Sequence, residues 1–245
     1  MQKYRMTLSY DGTDFGGWQM QPNVATIQEA LMRAFEKILK KKISIIGSGR
    51  TDAGVHAFGQ VAHFSLKEPI KKPLNLRSAL NGCLPPSIRV KEISPAAASF
   101  HARFSSKRKH YHYYLHTHPV HSPFRQLYST HLRPPFDIRR LKEAIPLFCG
   151  THDFTTFANV DPNSLNPIKT LFDIRIIQEL ESVRLEFEGS GFLYKMVRNI
   201  VGTLLEIGNG KRSYRSIPEL FAKKDRRYAP APAPAKGLFL AQVDY

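Results

Sequence analysis

The sequence predicts an α+β fold in which two subdomains of βαββαβ order, each with an antiparallel sheet, surround a central basic cleft. Three observations support this prediction. Residues 1–104 alternate strand-like and helix-like hydrophobic patterns in that order, residues 105–245 repeat the order without visible sequence identity, and the chain carries a formal net charge of +16. The same order of elements is found in ferredoxin-like folds and in RRM-like RNA-binding domains.

The first subdomain, residues 1–104, contains a well-marked helix start. Thr26 and Glu29 have the spacing of a capping box, in which both side chains satisfy free backbone N–H groups, and apolar residues then recur at helical period to Ile38. Pro73 suits the first turn of a second helix, which must end before Pro85. The predicted strands of this half cover residues 3–9, 43–46, 55–64 and 88–93.

The second subdomain, residues 105–245, begins with a strictly alternating strand over 110–115. A helix over 137–148 should kink or break at Pro146. The alternating Ala-Pro segment, residues 229–235, is interpreted as a connection inside this subdomain rather than as a linker. The other predicted elements are strands over 171–177, 183–187 and 238–243, a helix over 192–207 and a short helix starting at Ser216.

The net charge and a pI near 9.9 indicate a polyanionic partner, and nucleic acid is the leading one. The alternative is a solvated basic surface. No apolar run reaches the roughly 20 residues that span a bilayer, and no apolar signal segment opens the chain, so we expect a soluble cytoplasmic protein without membrane attachment. The two cysteines, Cys83 and Cys149, lie far apart with no Cys-x-x-Cys spacing, which argues against a disulfide framework, a zinc ribbon or a dithiol redox site.

Residues 47–57, here called the aspartate loop, place Asp52 among small residues. Glycines in the loop permit unusual backbone angles and close approach of a ligand. Arg50 favours the ionised form of a neighbouring carboxylate, which suits a nucleophile that forms a covalent intermediate. The alternative is a tight turn in which Asp52 bonds its own backbone.

Other chemistries fit the aspartate loop poorly. A phosphate-binding P-loop would need Lys followed by Ser or Thr after its second glycine, and this loop has Arg-Thr-Asp-Ala instead. A two-carboxylate glycosidase would need a second acid, for which Asp11 and Asp14 are the candidates near in sequence.

Eight of the ten histidines fall between residues 101 and 152, which raises the alternative of a metal site. No carboxylate or cysteine completes a recognisable ligand set, and histidines on an RNA-facing strand explain the same cluster. Tyr111 and Tyr113 resemble a platform on which bases stack, although one of the two is expected to pack in the core. The candidate metal ligands are His110 with His112, or His116 with His118 and His121.

Arg198 lies among apolar residues of the predicted 192–207 helix. An arginine on the packed side of a helix needs a partner for its charge. The position of Arg198 in the sequence does not decide whether this partner is structural or functional.

Taken together, these motifs resemble the tRNA pseudouridine synthase A family. The similar segments run in order through the chain, and the Arg-Thr-Asp-Ala-Gly-Val-His-Ala sequence beginning at Arg50 is the most specific of them. One departure is Lys169-Thr170-Leu171, where the family pattern has Arg-Thr-Ile. The matching segments are residues 10–13, 17–19, 49–57, 100–104, 152–154, 196–202 and 237–240.

The resemblance implies isomerisation of uridine to pseudouridine at positions 38–40 in the anticodon arm of tRNA, by a homodimer that needs no metal or organic cofactor. Asp52 matches the nucleophilic aspartate, and Tyr111 matches the tyrosine that stacks on the target base. Arg198 matches the basic residue that pairs with the aspartate, and Arg50 matches the arginine that holds the displaced base out of the stack. Such chemistry requires base flipping. The sequence leaves open whether Asp52 attacks C1′ or the base ring.

Two other classes of function remain as alternatives. One is a non-catalytic RNA-binding module, and the other is a metal-independent ribonuclease that uses histidines as acid and base. Neither needs an ionised aspartate between glycines, so the role of Asp52 separates them from the synthase.

Overall fold

The computed structural model describes residues 1–159 and 166–245. Within them the chain has a mixed α/β fold with mostly antiparallel strand pairing, and it divides into two compact units, residues 1–107 with 239–245 and residues 108–238. The strands are β1 (Gln2–Tyr10), β2 (Ile46–Gly47), β3 (His56–Leu66), β4 (Ile88–Ala96), β5 (Arg108–His116), β6 (Thr130–His131), β7 (Gly150–Asp153), β8 (Ile168–Gln178), β9 (Ser182–Gly189) and β10 (Leu238–Asp244). The α-helices are α1 (Ile27–Leu39), α2 (Pro73–Cys83), α3 (Ile138–Ala144), α4 (Met196–Gly208) and α5 (Ile217–Lys223).

The first unit is built on antiparallel pairing of β1 with β3 and β4, and its element order β1-α1-β2-β3-α2-β4 is the one expected from the sequence. The short β2 pairs with β3. Alternate residues of β1 are buried, as a strand with one face on a core requires.

Helix α1 begins where the capping box predicts. The Thr26 side chain accepts a hydrogen bond from the Glu29 backbone N–H, and the helix ends at Leu39, followed by Lys40 in the left-handed region. Its buried face packs on the sheet through Phe35, whose ring lies edge-on to Phe64 at 4.8 Å. Phe64 in turn stacks on Tyr4 at 5.4 Å, so one aromatic cluster joins helix and sheet.

The predicted strand over 43–46 is wrong for most of its length, because only Ile46–Gly47 pairs with β3. Ile43 and Ile45 are buried, which explains their strand-like pattern. The Ile45 carbonyl accepts a hydrogen bond from the Gln28 side chain of α1 at 2.8 Å. A helix side chain therefore takes the carbonyl that a neighbouring strand would otherwise use.

The last strand differs from the predicted division, which placed all of residues 105–245 in the second subdomain. Phe239 and Leu240 pair in parallel with His56 and Ala57 of β3, so the compact first unit includes residues 239–245. The pairing joins residues far apart in sequence, and local pattern cannot reveal such a pairing.

The second unit is built on antiparallel pairing of β9 with β5 and β8, and of β7 with β8. The strands expected over 110–115, 171–177 and 183–187 are present and somewhat longer than predicted. The short β6 and β7 were not predicted. β6 consists only of Thr130 and His131, which pair in parallel with Leu115 and His116 of β5, and this length is too short to give an alternating pattern.

Two helix boundaries in the second unit differ from the predicted ones. α3 ends at Ala144, and Pro146 lies in a following 3-10 turn, as its ring predicts. α4 begins at Met196 rather than Phe192, because Lys195 takes a left-handed conformation with φ 59° that a continuing helix cannot contain. The predicted Ser216 start is followed by α5. Among the residues that the structure describes, no helix is long and apolar enough to cross a membrane.

Candidate active site

The aspartate loop connects β2 to β3 in the first unit. Asp52 is half-buried between a buried Thr51 and an exposed Ala53, and Arg50 is exposed at the start of this stretch. The backbone N–H of Val55 donates to the Asp52 carbonyl oxygen at 3.1 Å and closes a tight turn. The turn bond uses the backbone of Asp52, so the turn and a chemical role for the carboxylate are compatible.

A second loop, residues 10–19 after β1 and here called the clamp loop, holds the aspartate loop on both sides of Asp52. The hydroxyls of Tyr10 and Thr51 hydrogen-bond at 2.8 Å, and the Trp18 N–H donates to the Thr51 carbonyl at 3.0 Å. On the far side of the carboxylate, the Gly54 N–H donates to the backbone of the clamp loop. These bonds fix the backbone position of the aspartate.

Two glycines of the clamp loop let the two backbones touch. A Cβ at Gly17, whose φ is +95°, would lie 2.5 Å from the Thr51 carbonyl oxygen and 3.0 Å from the carbonyl carbon of Asp52. A Cβ at Gly12 would lie 2.0 Å from the Val55 carbonyl oxygen. Both positions therefore exclude any side chain while the loops keep this contact.

Asp11, one candidate for a second catalytic acid, is tied into this clamp. Its carboxylate accepts hydrogen bonds from the backbone N–H and hydroxyl of Thr13 at 3.0 and 2.6 Å, and lies 3.0 Å from Nδ1 of the buried His56. The Gly12 N–H also points at His56 Nδ1, and the imidazole stacks on Phe239 at 4.5 Å. These contacts give Asp11 a supporting place beneath the loop.

Gln60 of β3 supports the beginning of the aspartate loop from below. Its side-chain carbonyl accepts from the Ser48 hydroxyl at 2.7 Å, and its amide donates to the Gly49 carbonyl at 3.0 Å and to the Tyr10 hydroxyl at 3.4 Å. Burial raises the pKa of Tyr10 to about 12, the two side-chain hydrogen bonds opposing that rise. Tyr10 therefore stays neutral at physiological pH and holds Thr51 by a hydrogen bond rather than by charge.

Tyr111 and Tyr113 lie on β5 of the second unit and point to the same face. Tyr113 is fully buried, and its hydroxyl bonds to Thr130 at 2.7 Å and donates to the Pro234 carbonyl at 2.8 Å. Burial raises its pKa above the usual range. Both tyrosines are therefore buried, whereas the sequence predicted that only one of them packs in the core: Tyr111 is 7% exposed and meets Phe192 edge-on at 5.0 Å.

Arg198 lies in α4 and is half-buried. Its Nε donates to the carbonyl oxygen of Ala233 at 2.8 Å, and the Ala233 N–H donates back to the Arg198 carbonyl at 2.9 Å. The side chain therefore has a backbone partner in its own unit. The structure brings Asp52 and Arg50 together in one loop of the first unit, and it places Tyr111 and Arg198 on β5 and α4 of the second.

The histidine cluster gathers more rings than the sequence suggested. The rings of His121 and His131 are nearly parallel at 4.7 Å, and His116 lies 5.2 and 5.8 Å from them. His118 lies 6.3 Å from His116. Across residues 1–159 and 166–245, no group of three or more His, Cys, Asp or Glu is arranged to hold a metal ion.

In the part of the chain that the structure describes, three aromatic rings that are at least half exposed each carry a cation over them, an arrangement that suits stacking on nucleobases and pairing with phosphates. They occur at widely separated positions in the sequence, in both units. The pairs are Arg103 with Phe104, Lys195 with Tyr194, and Lys223 with Tyr228; the rings are 74%, 56% and 50% exposed.

Comparison with known proteins decides the family. A family model described as tRNA pseudouridine synthase matches residues 6–105 and 144–245, which include the clamp loop, the aspartate loop, α4 and β10. The chain belongs to the tRNA pseudouridine synthase family. Its relatives include enzymes of this name from several bacteria.

Three relatives of this synthase match along the whole chain. The tRNA pseudouridine synthase A 1 of Protochlamydia amoebophila (strain UWE25) is 50% identical over 249 residues, covering 100% of this chain and 97% of its own length. The tRNA pseudouridine synthase A of Latilactobacillus sakei subsp. sakei (strain 23K) is 43% identical, covering 100% and 99%. That of Chlamydia muridarum (strain MoPn / Nigg) is 41% identical, covering 100% and 92%.

Sequence reasoning found the aspartate loop of this synthase but not the contacts that hold it. Gln60 carried no signal beyond its place in a predicted strand, and His56 was included in the most specific motif without a role of its own. The glycines of the clamp loop were the available clue, since Gly16 and Gly17 form a pair after a strand, where a close backbone approach is one of the few reasons for such a pair.

Proposed function

We propose that this synthase converts uridine to pseudouridine at positions 38–40 in the anticodon arm of tRNA, with Asp52 as the nucleophile toward a uridine flipped out of its stack. The observation that carries the proposal is the clamped loop: Asp52 is half-buried and its backbone is held on both sides. A nucleophile must be held near its reacting atom, because a misplacement of about 1 Å can lower a rate roughly 100-fold.

The reaction is an isomerisation, so atoms and electrons balance within the nucleoside. The bond from C1′ to N1 of uracil breaks, a bond from C1′ to C5 forms, C5 loses its proton and N1 gains one. An Asp52 carboxylate serves either by attacking C1′ or by adding to the base ring, and in both cases it is released when the new bond has formed. No oxidant, reductant or group donor is required, which supports the expectation that no cofactor takes part.

The remaining site residues have roles in this proposal that follow the family resemblance. Tyr111 stacks on the target base and assists proton transfer, Arg198 pairs with the aspartate, and Arg50 holds the displaced base out of the stack. Arg50 is exposed and lies near the half-buried Asp52 in the same loop, which supports its role in holding the displaced base. The exposed cation–aromatic pairs and the net charge of +16 support RNA binding.

The proposal also includes two ferredoxin-like subdomains, a central basic cleft, a homodimer and a cytoplasmic location. In the first unit, β4 pairs with β1, β1 with β3, and β3 with β2, which supports a ferredoxin-like arrangement there. Analytical ultracentrifugation with and without tRNA measures the oligomeric state. A monomer at assay concentrations contradicts the homodimer without affecting the chemistry proposed for Asp52.

The test is Asp52→Asn, which keeps the size of the side chain and removes its charge. Pseudouridine formation in unmodified tRNA is expected to be abolished, while tRNA binding stays near wild type. Asp14→Asn is the matched control, because Asp14 is an exposed carboxylate of the clamp loop. Pseudouridines are mapped by carbodiimide modification and primer extension, in the presence of a metal chelator.

Each alternative function gives a different outcome in the same assay. Shortened RNA with the wild-type protein identifies a ribonuclease, and binding without any change in the RNA identifies a non-catalytic module. An active Asp52→Asn variant refutes the nucleophile, and modified uridines outside positions 38–40 refute the proposed specificity alone.

A further inference from the structure

The Ala-Pro segment, residues 229–235, is packed against α4 rather than extended into solvent. Ala229 and Ala233 are 8% and 3% exposed. A Cβ at Gly202 of α4 would lie 2.2 Å from the Ala231 carbonyl oxygen, so the segment's backbone runs directly over the helix at this glycine. Because proline has no N–H and fixes φ, such a segment is stiff, and its carbonyls are available to side-chain donors.

Arg226 joins the start of this segment to α4. Its guanidinium donates to the carbonyls of Ala229 and Pro230 at 2.7 and 2.6 Å, and to the Asn199 side-chain oxygen at 2.9 Å. Burial lowers the pKa of Arg226, but a guanidinium remains charged in proteins. Its Nε also donates to the Asn159 side-chain oxygen at 3.4 Å, so the planar fork reaches four acceptors at once, which an ammonium group cannot do in this geometry.

The other end of the segment carries the partner of Arg198. Ala233 takes the Arg198 Nε–H at 2.8 Å and returns its own N–H to the Arg198 carbonyl, and the next carbonyl, that of Pro234, accepts from Tyr113. The segment is thus attached at both ends, and its Ala233 carbonyl accepts from the Arg198 side chain. A long arginine side chain has several rotatable bonds, so an acceptor at Nε selects the direction of the guanidinium.

We propose that Arg226 is a positioning residue of the synthase: by attaching the Ala-Pro segment to α4, it places the Ala233 carbonyl that orients Arg198. The inference rests on the proposed function, since the role of Arg198 belongs to it. Asn199 links the two arginines directly, because it follows Arg198 on α4 and accepts from Arg226. Arg226 acts through Arg198 and needs no contact with RNA for this role.

The experiment is a double-mutant cycle between Arg226→Met and Arg198→Ala, with kcat measured at saturating tRNA. Arg226→Met is expected to lower kcat roughly 10- to 100-fold by misplacing Arg198, with little change in tRNA affinity. If Arg226 acts through Arg198, the double variant is no slower than Arg198→Ala, within about twofold. Arg226→Lys is expected to lower kcat about as much as Arg226→Met, since one ammonium group cannot replace the guanidinium fork.

Arg227→Met is the matched control. Arg227 is adjacent, its side chain is 87% exposed, and it forms an ion pair with Asp225 at 2.6 Å. Its loss should leave kcat and thermal stability near wild type. A loss of kcat equal to that of Arg226→Met would identify a general effect of positive charge in this region and overturn the inference.

Gly202→Ala tests the segment without touching Arg226. The added methyl displaces the Ala231 carbonyl, while alanine itself favours a helix over glycine, so the helix propensity of α4 is not weakened. It should lower kcat and also be non-additive with Arg198→Ala. If Arg226→Met does not fold, Gly202→Ala provides the test of the positioning role.

The outcomes separate the inference from the function on which it rests. If Arg198→Ala has wild-type kcat, the proposed role of Arg198 fails and the positioning role fails with it, while Asp52→Asn still tests the reaction. If Arg198→Ala is slow and the effects of Arg226→Met and Gly202→Ala multiply with it, the positioning role alone is refuted.

Discussion

Gly17→Ala tests whether the clamp loop sets the position of Asp52, the proposed nucleophile. The new Cβ would lie 2.5 Å from the Thr51 carbonyl oxygen, whereas ordinary contacts begin at 3.4 Å, so the loops must separate by about 1 Å. Alanine also resists the φ of +95°. The shift is applied directly at Asp52, whose carbonyl carbon is the second atom that the methyl group meets.

A displacement of this size predicts a decrease in kcat of roughly 100-fold. The tRNA affinity should stay nearly unchanged, because Gly17 is buried. Single-turnover pseudouridine formation measures the rate, filter binding measures the affinity, and thermal unfolding shows whether the variant is folded at the assay temperature. Gly82→Ala is the control, because a Cβ there meets nothing within 4 Å. A folded Gly17→Ala enzyme with a rate equal to Gly82→Ala would refute the idea that this contact positions Asp52.

Two further predictions concern pH stability and RNA binding. His63 accepts the Ala102 N–H at Nδ1, and burial together with nearby positive charge lowers its pKa to about 4 from 6.5, so the unfolded chain binds this proton first as pH falls. Its contribution to the free energy of unfolding is therefore complete above pH 6.5 and falls by about 3 kcal/mol toward pH 4, and urea unfolding should show a smaller loss over this window in His63→Asn. Phe104→Ala should weaken tRNA binding by about 1–3 kcal/mol without changing kcat at saturation, if the exposed ring stacks on a base. Leu180→Ala, which removes a fully exposed side chain, is its control in the same binding titration; equal affinities of the two variants would count against stacking.

Elements set by neighbouring residues could be predicted from the sequence, and elements set by distant contacts could not. The start of α1 follows from Thr26 and Glu29, which act within one helical turn. The start of α4 was predicted too early, because the left-handed Lys195 interrupts an apolar run that otherwise reads as helix. The strand predicted over 43–46 was placed too early, because the Gln28 side chain of α1 donates to the Ile45 carbonyl and only Ile46–Gly47 pairs as β2.

The candidate site shows the same division. Asp52 could be singled out because the loop itself carries its glycines and Arg50, whereas the clamp depends on contacts between residues 10–19 and 47–57. Arg226 gave no signal, because it lies in a basic cluster that reads as a solvated surface. Only the packing of the Ala-Pro segment on α4 surrounds it with backbone carbonyls.

The clamp loop holds the aspartate loop mainly through backbone hydrogen bonds and buried side chains. Thr51 is buried and bonded by both its hydroxyl and its carbonyl, while Ala53, on the other side of Asp52, is exposed and small. The backbone is therefore held on both sides of Asp52, while the small, exposed side chain of Ala53 adds little bulk beside it. A flipped uridine needs such room, and a nucleophile needs such a fixed support. Under the proposed function, the small residues around Asp52 meet both requirements, whereas neither a simple tight turn nor a stacking surface requires both.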